Sequence, residues 1–326
     1  MKNLMQQQRI KNILKDVESC LEQLVDFDDP FIKECALSNI RAGGKRLRPI
    51  FVILTAQYFG VKNDEIIKFA AIMELIHMSS LIHDDVNDNS DLRRGQTTIN
   101  ATYNNDVAVH VGDYILIEAL KKVYEVSHTE ELLKILSSTA VEMSKGEVAQ
   151  LASMFDIKQD FDSYNYRIER KTALLIATCT QTGAILSDAT PEQIDAFYRF
   201  GHHLGMAFQI KDDLMDILPS NSKKIGKPIG HDLASGLITL PTLLVLQKEF
   251  PERALILEKI DQHFPNGQED LDFIMQFILK DEIVKECEDH IMYHIDAAKA
   301  ILDGLAPNDT RALLYDAADY VYERSI

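Results

Sequence analysis

The sequence predicts an all-α protein of about ten or more helices. Apolar residues recur at intervals of three and four along most of the 326 residues, whereas the strict alternation typical of strands is rare. Glycine (14 residues) and proline (9 residues) are sparse, so we expect few turns and long elements. Because no low-complexity linker or short repeat interrupts the pattern, we expect a single domain over residues 1–326.

Helical periodicity is clearest in four segments of the chain. They are residues 10–25, 65–82, 130–154 and 270–302. A further helix is predicted to begin after Thr190, which can act as the N-cap, with Pro191 at the first helical position and Gln193 at the third. These segments place the polar residues discussed below on defined helix faces.

The bulk composition restricts the partners and the compartment. A formal net charge of -17 argues against nucleic acid and anionic lipid headgroups as partners. The cysteines at 20, 35, 179 and 287 form no CxxC pair, so neither a zinc site nor a disulfide framework is indicated. The N-terminal stretch lacks the apolar core of a signal peptide, and no apolar run approaches the roughly 18 residues that span a bilayer. We therefore expect a cytoplasmic protein without a transmembrane segment.

Two aspartate clusters with the same DDxxD spacing each follow an apolar helical segment. They comprise Asp84, Asp85 and Asp88 in the first cluster, and Asp212, Asp213 and Asp216 in the second. Residues four apart share a helix face, where like charges destabilise a bare helix and call for a compensating cation. Carboxylate oxygens are the ligands that Mg²⁺ prefers, commonly together with substrate phosphates. The pattern therefore predicts Mg²⁺ ions that hold a diphosphate between two clusters facing each other across a cavity. A solvated acidic helix face is the alternative.

Basic residues near the clusters suggest sites for anions. Gly44, Lys45 and Arg48 lie in a basic island, where glycine exposes backbone N–H groups and arginine offers fork geometry. A helix N-terminus with surface charges would explain this island equally well. Other candidates are His77, two turns before Asp84, and Arg93 and Arg94 after the first cluster. Lys171, Thr172 and Lys227 complete the set.

Five motifs, in this order, resemble those of the trans-type isoprenyl diphosphate synthases. They are GGKRLRP, ELIHMSSLIHDDVNDNSDLRRG, KTALL, FQIKDDLMDI and GKPIGHDLASGLITLP. The chain is most similar to long-chain bacterial synthases, including the large catalytic subunit of two-component hexaprenyl and heptaprenyl enzymes. The resemblance implies an all-α bundle around a deep central cavity. It also implies a homodimer or a heteromer with a small regulatory subunit.

The resemblance further implies a role for each matching residue. Both aspartate clusters would bind roughly two or three Mg²⁺ ions, with Asp212 the most direct ligand of the second cluster. The diphosphate of isopentenyl diphosphate would be held by Gly44, Lys45, Arg48, His77 and Arg94. The allylic diphosphate would be contacted by Arg93, Lys171, Thr172, Gln209 and Lys227. The residues expected to act in catalysis are Asp84, Asp85, Arg93, Lys171, Asp212 and Lys227.

The implied reaction is the successive head-to-tail condensation of isopentenyl diphosphate with an allylic diphosphate. Farnesyl or geranylgeranyl diphosphate would be the primer, and diphosphate would be released. In short-chain members an aromatic side chain one turn before the first aspartate blocks the growing tail. Here Ser79 and Ser80 occupy that level, so we expect the tail to pass them and stop near Ile72, Met73 and Ile76. The product would then lie in the hexaprenyl to octaprenyl range, unless the two serines are simply small packing residues.

Two departures from the family pattern and several alternative functions remain. Leu237 stands where many members carry lysine or asparagine, and the C-terminus lacks a basic tail, so neither Leu237 nor Arg324 is assigned a ligand.

A farnesyl or geranylgeranyl diphosphate synthase is the nearest alternative. A class I terpene cyclase would lack the second DDxxD, and an HD-type phosphohydrolase, suggested by His77 and His83-Asp84, leaves the basic motifs unexplained. A non-catalytic subunit would be expected to lose the aspartates.

Overall fold

The computed structural model describes residues 4–218 and 229–323, and nearly all of its regular structure is α-helical. The helices are α1 Gln8–Leu24, α2 Pro30–Arg41, α3 Leu47–Tyr58, α4 Asp64–Asn87, α5 Ile99–Thr102, α6 Asn105–Lys122, α7 Thr129–Ala152, α8 Phe161–Ile168, α9 Leu174–Ile185, α10 Pro191–Ile217, α11 His231–Ala234, α12 Leu240–Gln247, α13 Arg253–Asp261, α14 Gln268–Ile278, α15 Asp281–Asp303 and α16 Asp309–Glu323. Short 3₁₀ turns lie at Leu4–Gln6 and Val123–Glu125, and a π-helical turn lies at Glu169–Ala173. A small antiparallel hairpin pairs β1 Leu92–Arg93 with β2 Gln96–Thr97. The predicted all-α class is confirmed.

Capping side chains fix where several helices begin. The Asn63 side chain accepts a hydrogen bond from the Ile66 N–H and so caps α4. At the start of α10, the Gln193 N–H donates to the Thr190 hydroxyl while the Thr190 N–H donates to Gln193 Oε1. This reciprocal pair is the capping box that the sequence predicted at Thr190.

The periodic segment 270–302 is divided into two helices. α14 ends at Ile278, and α15 begins at Asp281 after Lys280 adopts an extended conformation (φ -63°, ψ 138°). Asp281 and Glu282 occupy the first turn of α15, where carboxylates favour a helix start. The apolar period continues across the break because both helices bury one face, so periodicity alone could not locate it.

The described residues form two compact units, each with its own core. The first comprises the chain up to Ser137 together with Cys179–Phe197 and Asn308–Leu313; the second comprises Ser138–Thr178, Tyr198–Pro307 and the chain from Leu314. In the first unit α4 packs against α6, α3 and α1, and Phe51 and Phe69 are fully buried. In the second unit α12 packs against α15 and α14. Each unit carries one of the aspartate clusters.

Helix α4 is long and apolar enough to cross a membrane by length and composition. An 18-residue window of this helix has a mean hydropathy of 1.4. The expectation that no apolar run approaches the length of a membrane span is therefore wrong. However, 67% of the window is buried inside the protein, as expected for a core helix. Burial in the core of the first unit therefore explains the apolar composition of α4.

Candidate active site

The first aspartate cluster lies at the C-terminal end of α4. Asp84 and Asp85 belong to the last turn, and Asp88 is the C-cap, with its N–H donating to the Asp84 carbonyl. Asp85 is 4% exposed, and its Oδ1 accepts from Arg93 Nε at 2.6 Å. Burial raises the pKa of Asp85, and the adjacent Arg93 opposes that rise. An arginine therefore compensates part of the cluster's charge, as the sequence predicted.

The β1–β2 hairpin directs both arginines that follow the cluster. Its turn residues, Arg94 (φ 52°) and Gly95 (φ 78°), both have the positive φ that a tight hairpin turn requires. Arg93 reaches back to Asp85, whereas the Arg94 guanidinium lies against Gly44. A Cβ added to Gly44 would lie 2.6 Å from Arg94 Nη1, so a side chain at this position would displace the guanidinium.

A cavity of about 260 Å³ opens beside the cluster. Its lining includes Arg46, Glu74, His77, Asp85, Arg93 and Arg94. His77 Nδ1 is buried and has no hydrogen-bond partner among the described residues. Burial lowers the pKa of His77 well below its usual range, and the nearby Arg48 and Arg94 lower it further. The site thus combines a neutral imidazole with several cations, which suits an anion that accepts hydrogen bonds.

The basic island contains one buried structural residue, Arg46, and two residues that are more exposed. Arg46 is 5% exposed and donates to Glu18 Oε1 at 2.7 Å, to Glu74 Oε1 at 3.0 Å and to the Ile40 carbonyl at 2.8 Å. It therefore fixes the start of α3. Lys45 is exposed and Arg48 is half-buried, and neither belongs to the lining of the cavity.

The two serines before the first cluster differ in their surroundings. Ser79 is buried, and its hydroxyl donates to the Gly112 carbonyl of α6 at 2.9 Å. Ser80 is half-buried, and its hydroxyl donates within its own helix to the His77 carbonyl at 2.8 Å. Ser79 therefore packs against α6, and the prediction about product length depends chiefly on Ser80.

The second aspartate cluster occupies the last two turns of α10. Asp212 and Asp216 are half-buried, whereas Asp213 is 3% exposed. Asp213 accepts from Gln209 Nε2 at 2.8 Å and from the Tyr164 hydroxyl at 2.7 Å. Burial raises the pKa of Asp213 to about 6, although these two hydrogen bonds oppose the rise. Asp216 Oδ2 accepts from the backbone N–H of Asp232 at 3.1 Å.

Lys171 and Thr172 lie in the π-helical turn Glu169–Ala173. Such turns leave the regular helix locally and are frequent at functional sites. Lys171 Nζ donates to Gln150 Oε1 at 3.1 Å and lies 3.6 Å from Glu147 Oε1. The Thr172 hydroxyl donates to Gln209 Oε1 at 2.5 Å. The structure thus brings Thr172, Gln209 and Asp213 into one hydrogen-bonded chain.

Two glycines inside helices allow close packing around the π-helical turn. A Cβ on Gly205 of α10 would lie 2.4 Å from the Cα of Ala173, and one on Gly146 of α7 would lie 2.6 Å from the Cβ of Arg170. Glycine inside a helix costs about 1 kcal/mol relative to alanine, so each position signals a packing requirement. These glycines within helical segments could be recognised in the sequence, whereas no sequence motif indicated a role for Tyr164.

Other sequence assignments have separate outcomes. Lys227 and Arg324 lie outside the described residues. Gly236, in the stretch where Leu237 departs from the family pattern, has φ 88° and lies against the ring of Phe155. His83 Nε2 lies 3.2 Å from the Val109 carbonyl and from Asp113 Oδ1, so this histidine contacts α6.

The donor set of the two clusters fits magnesium. Among residues 4–218 and 229–323, no group of three or more His, Cys, Asp or Glu side chains is arranged to hold a metal by itself. Mg²⁺ usually binds through one or two carboxylates together with waters and substrate phosphates, so a complete protein cage is not required. The metal centre of an HD-type phosphohydrolase would require such a cage. That the two clusters face each other across a cavity stays a prediction.

Comparisons with known proteins identify the family. The polyprenyl synthetase family model matches residues 29–278. A relative named heptaprenyl diphosphate synthase component 2, from Geobacillus stearothermophilus, is 37% identical over 95% of each chain. Its namesake from Bacillus subtilis is 38% identical over 94% of this chain and 87% of the relative. The crystal structure of heptaprenyl diphosphate synthase from Staphylococcus aureus is 33% identical, with a TM-score of 0.89 over 96% of this chain and 98% of that chain.

These matches agree with the five ordered motifs and with the all-α fold. They exclude the terpene cyclase and the HD-type phosphohydrolase as descriptions of this chain. The chain therefore belongs to the polyprenyl synthetase family and is a trans-prenyltransferase that elongates an allylic diphosphate with isopentenyl diphosphate.

Proposed function

We propose that this chain makes an all-trans polyprenyl diphosphate in the hexaprenyl to octaprenyl range, from farnesyl or geranylgeranyl diphosphate. Relatives named heptaprenyl and octaprenyl diphosphate synthases, 37% identical over 95% and 75% of this chain, support a long product. The small side chain of Ser80, one turn before Asp84, supports it as well. The buried Ile72 and Met73 lie further along the same helix, where a longer tail would end.

The arrangement around His77 carries the assignment of the isopentenyl diphosphate site. His77 lines a cavity together with Arg93 and Arg94, its buried Nδ1 has no hydrogen-bond partner among the described residues, and the absence of a side chain on Gly44 leaves room for the Arg94 guanidinium. We assign the diphosphate of isopentenyl diphosphate to Gly44, Lys45, Arg48, His77 and Arg94. Arginine and backbone donors give this anion short, charge-assisted hydrogen bonds.

The allylic diphosphate is assigned to five residues from the motifs shared with the family. Its contacts are Arg93, Lys171, Thr172, Gln209 and Lys227. The carboxylates of Asp84, Asp85, Asp88, Asp212 and Asp216 would hold Mg²⁺, the ion whose ligand preference they match. When bound, Mg²⁺ supplies positive charge that stabilises the developing charge on a departing diphosphate.

The side chains of this chain then have three tasks in the reaction. Arg93 and Lys171 stabilise the diphosphate as the allylic C–O bond ionises, because fixed cations in a site that excludes water act on charge as it develops. Buried apolar side chains of α4 keep water from the carbocation. The double bond of isopentenyl diphosphate attacks the cation, and the proton then lost passes to the released diphosphate, so no dedicated protein base is assigned.

The first experiment is an assay of the purified chain alone. Farnesyl diphosphate, radiolabelled isopentenyl diphosphate and Mg²⁺ would be supplied, and the products sized by reversed-phase chromatography. A ladder ending between hexaprenyl and octaprenyl diphosphate is expected, whereas a product no longer than geranylgeranyl diphosphate would refute the long-chain assignment. Absence of product from folded protein would indicate that a second subunit is needed.

A histidine pair tests the isopentenyl diphosphate site. His77→Ala should raise the KM for isopentenyl diphosphate about tenfold, because a hydrogen bond to a charged group is lost. His110→Ala, at an exposed position on α6, is the matched control and should leave that KM unchanged. An equal effect of both substitutions would contradict the assignment.

The assembly and the compartment are further parts of the proposal. We expect the chain to act in the cytoplasm, as a homodimer or with a small regulatory subunit. The words "component 2" in the names of two relatives support a second component. Exposed apolar side chains at Ile117 (63%) and Tyr124 (72%) provide surface for a partner. Light scattering on the purified chain measures its molar mass. The mass of a dimer is expected for a homodimer, and the mass of a monomer would contradict it.

A further inference from the structure

The second aspartate cluster contains a carboxylate whose two oxygens are both bonded within the protein. Asp213 Oδ1 accepts from Gln209 Nε2 at 2.8 Å, and Oδ2 accepts from the Tyr164 hydroxyl at 2.7 Å. Gln209 Oε1 in turn accepts from the Thr172 hydroxyl at 2.5 Å. Tyr164 and Asp213 are 1% and 3% exposed, so water does not compete for these bonds.

Helix geometry separates Asp213 from the other two aspartates of its cluster. Asp212 and Asp216 are four residues apart on α10 and share a face, and both are half-buried. Asp213 points about 100° away from Asp212 around the helix axis. It shares its face with Gln209, one turn earlier. The cluster therefore presents two accessible carboxylates and one buried hydrogen-bond acceptor.

The buried acceptor also has positive charge nearby. The Arg167 guanidinium carbon lies 5.6 Å from the centre of the Tyr164 ring, and Arg167 is 4% exposed. Arg167 is held by hydrogen bonds to Gln159 Oε1 at 2.8 Å and to the Ile238 carbonyl at 2.6 Å. A buried carboxylate with two donors and a nearby guanidinium is a satisfied structural group.

We propose that Asp213 and Tyr164 are positioning residues for the allylic diphosphate, and that Asp213 is not a metal ligand. Asp213 binds one Nε2 hydrogen of Gln209, so the amide orientation is fixed with Oε1 toward Thr172. The second Nε2 hydrogen then has a defined direction from which it can donate to a diphosphate oxygen. The hydrogen bond from Tyr164 holds the carboxylate in this orientation. This inference rests on the proposed function, in which Thr172 and Gln209 contact the allylic diphosphate.

The test compares Tyr164→Phe and Asp213→Asn with Asp212→Asn. Binding of farnesyl S-thiolodiphosphate, an unreactive allylic analogue, is measured by calorimetry across a series of Mg²⁺ concentrations, and the KM of each substrate is measured separately. Tyr164→Phe and Asp213→Asn should weaken binding of the analogue, and raise the allylic KM, about tenfold. Both should leave the KM for isopentenyl diphosphate and the Mg²⁺ midpoint unchanged. Asp212→Asn should raise the Mg²⁺ midpoint.

Tyr166→Phe is the matched control. Tyr166 lies two residues further along α8, is 39% exposed and stacks on Arg170 at 3.6 Å, so it should bind the analogue like the wild type. The proposal is overturned if Asp213→Asn shifts the Mg²⁺ midpoint as much as Asp212→Asn does. It is also overturned if Tyr164→Phe changes only the melting temperature. If the wild-type chain makes no product longer than geranylgeranyl diphosphate, the long-chain assignment fails, while the binding measurements still decide this inference.

Discussion

Gly205→Ala tests whether close packing of α10 against the π-helical turn positions the substrate-binding residues. The new Cβ would lie 2.4 Å from the Cα of Ala173 and 2.9 Å from its Cβ. Carbon atoms in contact are separated by about 3.5–4.0 Å, so the two segments must move apart by about 1 Å. Overpacking of this kind costs about 1–3 kcal/mol. Alanine regains about 1 kcal/mol of helix propensity. We therefore expect a net loss of about 0–2 kcal/mol in the free energy of unfolding.

The effect on activity should be larger than the effect on stability. Ala173 directly follows Thr172, and a displacement of about 1 Å in a binding residue can lower a rate about 100-fold. We expect kcat/KM for farnesyl diphosphate to fall between about 10- and 100-fold, and the KM for isopentenyl diphosphate to change little.

Steady-state kinetics and urea unfolding measure these two effects separately. Gly304→Ala is the control, because its added Cβ meets nothing closer than the Ile301 carbonyl at 3.4 Å. This variant should match the wild type in both measurements. If Gly205→Ala retained wild-type kcat/KM for farnesyl diphosphate, the packing of the π-helical turn would not determine the position of Thr172.

Three further predictions address the other features of the molecule. Gly44→Ala should raise the KM for isopentenyl diphosphate about tenfold and leave the KM for the allylic substrate unchanged. The reason is that the new Cβ would lie 2.6 Å from Arg94 Nη1 and displace that guanidinium. Equal changes in both KM values would contradict this prediction. Ser80→Phe should shorten the products, as seen by reversed-phase chromatography, and an unchanged product distribution would show that the tail does not pass this position. Burial and the neighbouring His203 lower the pKa of His294 to about 4. The folded chain therefore binds a proton at His294 less readily than the unfolded chain does. As a result, the free energy of unfolding decreases as the pH falls from about 6.5 toward 4. His294→Gln should flatten the pH dependence of the urea midpoint in that window, and an unaltered slope would refute the contribution of His294.

The sequence located helices such as α1, α4 and α7 because burial of one face imposes the 3.6-residue period. The capping box at Thr190 is confirmed, since its two hydrogen bonds involve residues only three positions apart. The break at Lys280 was missed because the apolar period continues across it. The β1–β2 hairpin was also missed, since two-residue strands are too short to show alternation.

The candidate site was predicted only where its residues lie close together in the sequence. Motif order placed Asp85, Arg93 and Arg94 in one stretch, and the structure confirms the contact between Asp85 and Arg93. The contact of Arg94 with Gly44 joins segments about fifty residues apart, which spacing on one helix cannot reveal. Tyr164 was missed because its hydrogen bond to Asp213 joins two different helices.

The sequence by itself determined the helical class, the two aspartate clusters and the family, because periodicity, local spacing and motif order are properties of the chain. Only the tertiary structure decided which member of each cluster is buried and which side chain it contacts. Asp212 and Asp213 are adjacent in the sequence, yet one is half-buried and the other is enclosed with Tyr164 and Gln209. That difference arises from the 100° turn between successive helical residues and from which neighbouring helix each face meets.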